Sequence, residues 1–168
     1  MSTEIKNLRR QEANEKIKKL AGDADICLFT TDLTHLPLKT RPMSTQEIDD
    51  EGNLWFFSHI DSDKNNDIAK DERVQLFYSN RNSSEYLSLY GTATIIRDKA
   101  KAKELWSAMV KVWFKDPGDV NLTIIKVVPE DGYYWDTKDG KLVSLFKMAV
   151  GALTGKELDG SIEGKIKG

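Results

Sequence analysis

The chain has 168 residues, the size of one ordinary domain, with 25 Lys plus Arg against 27 Asp plus Glu and a formal net charge of −2. Hydrophobic residues make up 39% and charged residues 31%. That composition is globular, has no cationic excess for a nucleic-acid backbone, and contains no apolar run near the roughly 18 residues of a membrane span. Cys27 is the only cysteine, and His35 and His59 are the only histidines, which excludes an intrachain disulfide and argues against a Cys/His zinc site. The start Met1-Ser2-Thr3-Glu4-Ile5-Lys6 is polar and lacks the apolar core of a secretory signal, so a reducing cytoplasm is the expected setting.

The whole chain, 1–168, reads as a single domain. Residues 3–21 read as a surface helix, capped by Ser2 or Thr3 and ended by Gly22, with a thin stripe of Ile5, Leu8, Ile17 and Leu20. From residue 25 the period changes to that of strands. Ile26 to Thr31 is a short β-rich run, and 36–43 alternates. The turn Asp50-Glu51-Gly52-Asn53 pairs that segment with 54–58 as a hairpin or near-hairpin. Further strands are expected over 74–79, 85–97 (the longest), 122–128 and 133–135, the last in a hairpin with 142–144 around Lys138-Asp139-Gly140. Helices are expected over 62–69 and 99–115, with a further short one over 145–153. Residues 155–168 read as a partly loose tail. Short strands joined by tight turns, with helices inserted, predict a mainly β antiparallel barrel.

No catalytic triad, dinucleotide loop or P-loop is present, and His35 and His59 read as solvated residues near turns. One constellation is more specific. Arg41-Pro42-Met43 lies in a strand, Trp55-Phe56-Phe57-Ser58 follows across a turn, and Ser62-Asp63-Lys64 opens a helix. Ser62 suits an N-cap, and the amides behind it favour an anion. Lys64 in the first turn opposes the helix dipole unless an anion binds there. Arg41 can supply a bidentate contact, and Pro42 places its strand at an edge or beside a ligand. Spacing leaves a plainer reading open, in which Arg41 and Lys64 are solvated, Ser62 is only a cap, and Phe56 and Phe57 are core.

These residues carry a resemblance over nearly the whole chain. Thr40-Arg41-Pro42-Met43, Leu54-Trp55-Phe56-Phe57-Ser58, Ser62-Asp63-Lys64, Tyr90-Gly91-Thr92-Ala93, Glu104-Leu105-Trp106, Trp113-Phe114-Lys115-Asp116-Pro117-Gly118, Tyr134-Trp135-Asp136 and Leu153-Thr154-Gly155-Lys156 resemble, in order and spacing, the pyridoxamine 5'-phosphate oxidase-like split barrels, nearest their general stress protein 26 branch. The resemblance implies a six-stranded antiparallel split β-barrel that forms a homodimer with FMN at the subunit interface. FAD, with the same ring and first phosphate, is the alternative cofactor. It implies that Arg41 and Lys64, with Ser62 beside them, bind the phosphate. Pro42 and Met43 line the ring through backbone contacts, and Phe57 and Ser58 hold the ribityl chain and phosphate. Tyr86, and Trp113 or Trp135, approach from the partner.

The chain departs from the true oxidases at two places. Asp63 stands where they carry an arginine, which weakens phosphate binding unless its side chain points away. Their late Arg-x-His substrate motif is impossible here, because no histidine follows His59. Three readings follow: an FMN-dependent oxidoreductase of unknown substrate, a flavin carrier or sensor without turnover, and a cofactor-free barrel serving as an interaction module. None needs a metal, a membrane or a nucleic acid.

Overall fold

The computed structural model describes residues 4–137 and 161–167. Among them, ten strands join in one sheet. In chain order these are β1 (Glu4–Ile5), β2 (Leu8–Arg9), β3 (Ile26–Thr31), β4 (Lys39–Ser44), β5 (Glu47–Ile48), β6 (Leu54–His59), β7 (Arg73–Asn80), β8 (Glu85–Ile96), β9 (Leu122–Thr137) and β10 (Ser161–Lys167). Three α-helices interrupt them: α1 (Arg10–Ala24), α2 (Asp63–Lys70) and α3 (Lys99–Glu104). The main path runs β1-β10-β9-β8-β7-β3-β4. β6 also pairs with β9, antiparallel from Leu54↔Val127 to His59↔Leu122, whereas β10 pairs with the other half of β9, from Ser161↔Thr137 to Lys167↔Asp131. β9 therefore changes partner part-way along one edge while β8 follows its other edge from Ile124 to Trp135.

Alternation fixes which side of each strand is dry. Cys27 and Phe29, Leu54 and Phe56, Leu76 and Tyr78, Leu87 and Leu89, and Ile125 and Val127 all turn inward to one core. The Cys27 thiol inside it is pushed up to about 12 by burial. Ala13, Ile17, Leu20 and Ala21 form the i, i+4, i+7, i+8 stripe of α1 and are almost fully buried against that core. A second cluster lies outside β6 and β9. There Ala102, Leu105, Val110, Phe114, Leu122 and Ile124 pack with Trp55, Phe57 and Trp106.

Several sequence expectations are corrected. The ten strands exceed the six expected of the barrel. The first helix begins at Arg10 rather than residue 3, because β1 and β2 pair in parallel with β10. It also runs past Gly22 to Ala24 and buries its stripe in the core instead of lying across the surface. The hairpin partner of β6 is β5, with Glu47↔Trp55 and Ile48↔Leu54, so β4 is free to pair with β3 instead. Residues 122–128 and 133–135 belong to one strand, β9, which is longer than β8. Its ladder passes Pro129 by a register shift at Tyr90/Gly91 rather than by a turn. The helix expected over 99–115 stops at Glu104, and a tighter 3₁₀ turn covers Val110–Val112, closed by Val112 N–H donating to Met109 O at 3.3 Å and Trp113 N–H donating to Val110 O at 3.0 Å. Residues 161–167 are strand rather than loose tail. The expected strand over 142–144 and helix over 145–153 lie outside the described residues.

The crossing of β8 and β9 is tight at Gly91. A Cβ there would stand 2.2 Å from the Val128 carbonyl oxygen, a backbone atom that cannot swing aside. Gly91→Ala is expected to lower stability by on the order of 1–3 kcal/mol, read as a lower midpoint in urea unfolding. An unchanged midpoint would show that the two strands separate there at no cost.

Candidate functional site

Arg41 faces inward from β4, on the side shared with Met43 and Lys39, opposite Phe29 of β3. β4 pairs with β3 alone and ends the main path, so Pro42, with no N–H to donate, sits on an edge strand as its chemistry requires. The Arg41 guanidinium is half-buried and held from one side. Nη1 donates to Phe29 O at 3.3 Å and to Thr31 Oγ1 at 2.8 Å. Nη2 lies 4.0 Å from Asp67 Oδ2, an ion-pair separation without a hydrogen bond. Among the described residues the Nε and Nη2 edge makes no hydrogen bond.

Lys64 enters from the first turn of α2 and is half-buried. Burial lowers its pKa, the nearby charge of Arg41 lowers it further, and only Asp63 opposes them. No carboxylate forms an ion pair with Lys64 among the described residues. Burial likewise pulls Arg41 down, against the charges of Asp67 and Asp63. Asp63 itself is exposed and hydrogen-bonded to neither cation. Two partly desolvated cations thus lie near enough for the charge of one to act on the other, and Lys64 stands at the start of a helix whose dipole favours an anion there. An anion between them would relieve both costs.

The structure distributes the other expected residues unevenly. Ser58 is buried and closes a polar ring: its Oγ donates to Asn65 Oδ1 at 2.7 Å, Asn65 Nδ2 donates to Thr123 Oγ1 at 2.9 Å, and Thr123 Oγ1 donates to Ser58 O at 2.9 Å. With the Ser58 proton spent on Asn65, Ser62 Oγ is the donor across the 3.0 Å Ser58–Ser62 contact. Ser62 makes no side-chain cap hydrogen bond, which corrects the capping role expected of it. The Phe57 ring packs on Trp106 and Phe114, at 6.1 and 6.4 Å between centroids, so only its backbone is free to meet a ligand. Met43 is buried in the core, and Pro42 is exposed on the opposite face of β4. Tyr86 is on β8, three strand spacings or roughly 14 Å from β4, and Trp113 follows the 3₁₀ turn with 80% exposure. Neither is brought to Arg41 by the fold of one chain.

Residues that the sequence did not single out complete the neighbourhood. Thr31 Oγ1 donates to Asp67 Oδ2 at 2.8 Å, and Lys39 Nζ donates to Asp67 Oδ1 at 2.8 Å. Burial alone would push the Asp67 carboxyl up, but Lys39 and Thr31 hold it below the ordinary range. The available signals were the Lys64/Asp67 spacing of three on one helix face and the Lys39/Arg41 spacing of two on one strand face.

A family model described as pyridoxamine 5'-phosphate oxidase like matches residues 12–159, which includes every residue of this neighbourhood. The chain belongs to the pyridoxamine 5'-phosphate oxidase-like family. Protein bli-3 of Neurospora crassa is 25% identical over 112 residues, covering 61% of this chain and 54% of that protein, so the chain spans about half the length of this curated relative. The general stress protein 26 of Jannaschia sp. CCS1 superposes with a TM-score of 0.76 at 22% identity, over 94% of this chain and 98% of its own. The general stress FMN/FAD binding protein of Xanthomonas citri superposes with a TM-score of 0.64 at 24% identity, over 74% and 89%. These likenesses show the split-barrel fold of the family.

The lowered Lys64 pKa gives a pH signature with a definite sign. A bound anion favours the charged amine and raises its pKa, so binding takes up a proton between the free and bound values. Affinity for inorganic phosphate is expected to be full below the free Lys64 value and to fall as pH rises through that window, starting below the ordinary lysine range. Calorimetric titration from about pH 8 upward measures this. A flat profile in the native protein would remove Lys64 from the anion's contacts, and Lys64→Met should lack the falling limb.

Proposed function

We propose that the protein binds FMN and serves as an FMN-dependent oxidoreductase of unknown substrate. The observation that carries the reading is the pair Arg41 and Lys64, two half-buried cations without a hydrogen-bonded carboxylate, beside the start of α2. A terminal phosphate suits the free Nε and Nη2 edge of Arg41 and the amine of Lys64. The match to the oxidase-like family and the flavin named for the Xanthomonas citri neighbour support the same ligand class. When bound, the isoalloxazine supplies the electron-transfer chemistry. The chain's own share is to grip the phosphate, to offer the backbone of Pro42 and Met43 to the ring, and to offer that of Phe57 and Ser58 to the ribityl chain. FAD shares the ring and first phosphate, and competition between FMN and FAD decides the preference.

The site is proposed to be completed by a second copy of the chain. The outer face of the main sheet exposes Leu28 opposite Phe77 and Tyr86 opposite Trp135, each between 42% and 49% exposed. A flank of paired apolar side chains of this kind is costly in water. Burying it between two copies gives Tyr86, and Trp113 or Trp135, a route to the partner's flavin. Light scattering is expected to give a dimer at micromolar concentration, and the 19.1 kDa monomer mass would refute it.

A carrier without turnover is the second reading, favoured by the absence of the oxidases' Arg-x-His motif. Steady-state oxidation of NADH or NADPH by the flavin-loaded protein would exclude it. The cofactor itself is tested by the visible spectrum after incubation with FMN and desalting. Arg41→Ala and Lys64→Ala are each expected to weaken FMN binding by about 1.5–3 kcal/mol, one to two decades in Kd. Unchanged Kd values in both variants would remove these residues from the site. A protein that neither retains nor titrates FMN would leave the cofactor-free barrel.

A further inference from the structure

Among the described residues the three N–H groups on Nε and Nη2 of Arg41 make no hydrogen bond, Nη2 lying 4.0 Å from Asp67 Oδ2, and the other two are both committed on Nη1. That asymmetry has a structural origin one strand and one helix away. Thr31 is fully buried, and its hydroxyl has one proton. Because that proton goes to Asp67 Oδ2 at 2.8 Å, the oxygen must present a lone pair to Arg41 Nη1, also at 2.8 Å. Asp67 is 7% exposed and takes Lys39 Nζ on its other oxygen, so its charge is compensated and its orientation is fixed from both sides. Lys39 is tied in addition to Asp32 at 3.5 Å.

We propose that Asp67 and Thr31 are positioning residues that lock the Arg41 guanidinium edge-on, committing Nη1 to the protein and leaving the Nε and Nη2 edge for a phosphate monoester. This rests on the reading of Arg41 as a phosphate ligand. It goes beyond that reading by assigning the affinity to a relay that runs from α2 through β3 to β4 without touching the ligand. The gain is preorganisation: a side chain with many rotamers is held in one before the anion arrives.

The sign of one substitution separates positioning from plain electrostatics. Asp67→Asn keeps the size of the side chain and removes a negative charge beside an anion site. If Asp67 acted only through its charge, the variant would bind FMN more tightly. In the relay, the amide nitrogen can turn to Thr31, the hydroxyl reverses, and Arg41 loses its acceptor. FMN binding is then expected to weaken about tenfold.

The experiment is fluorescence titration of the full-length protein with FMN and, separately, with riboflavin, which lacks the phosphate. Native protein, Asp67→Asn, Thr31→Val and Thr31→Ser are compared, with circular dichroism as the check on folding. Both Asp67→Asn and Thr31→Val should lose FMN affinity while riboflavin affinity stays put, and Thr31→Ser should restore it. Unchanged or tighter FMN binding in either of the first two overturns the relay. An equal loss for riboflavin also overturns it, since that marks a general disturbance of the barrel. Should Asp67→Asn fail to fold, the Thr31→Val and Thr31→Ser pair decides alone. Native protein that binds FMN no better than riboflavin defeats the phosphate reading itself, an outcome visible before any variant is made.

Discussion

Strand β9 has more hydrogen-bonding partners than one flat sheet could give it. β8 pairs with it from Ile124 to Trp135 on one edge, while β6 takes the first part of the other edge and β10 takes the last. β6 lies off the main path of the sheet, so the sheet forks at β9 between β6 and β10. The fork divides the sheet into two branches. It also sets where the chain goes next: β6 leaves the fork and runs directly into Ser62 and α2, which delivers Lys64 and Asp67 toward β3 and β4. The one-residue register shift at Gly91, where backbone meets backbone, lets β8 follow β9 past Pro129 without breaking the ladder.

The site is therefore an electrostatic product of packing. α2 buries Asn65 and Ile68 against the barrel, and the same contact takes water away from Lys64 and Asp67. Asp67 finds Lys39 and Thr31 and is satisfied. Lys64 has the charge of Asp63 nearby but no ion pair among the described residues, and Arg41 adds a like charge. A fold that leaves one half-buried cation near another has stored a preference for an anion, and the dipole at the start of α2 points the same way.

Much of this was legible in the sequence, and the failures have physical causes. Pro42 marked β4 as an edge because no other place in a sheet tolerates a missing donor. Lys64 stood out because a cation in a first helical turn opposes the dipole. The partner of β6 was misread because 36–43 alternates well enough to serve as a hairpin arm, whereas the two residues of β5 are too short to show a period. Pro129 and Gly132 look like punctuation in one dimension, but β8 supplies the register that carries the strand past them. Met109 and Trp113 fit a continuous helix by spacing, yet both are exposed, because the chain tightens after Ser107 to wrap Val110 and Phe114 over Phe57. Thr31 reads as an ordinary β-branched core residue and Asp67 as a solvated helix charge. Only the crossing of α2 over β3 makes them neighbours, and a contact between residues 36 apart has no local signature.

An edge strand is an open invitation for another chain to add itself to the sheet, and β4 refuses it with the residues already described. Pro42 removes a donor from the row an incoming strand would need, and Lys39 and Arg41 bring charge to the same short stretch. Colloidal behaviour and ligand binding therefore draw on the same six residues. A substitution at Lys39, Arg41 or Pro42 therefore acts on the edge of the sheet as well as on the anion site, whereas one at Lys64 on α2 acts on the anion site alone.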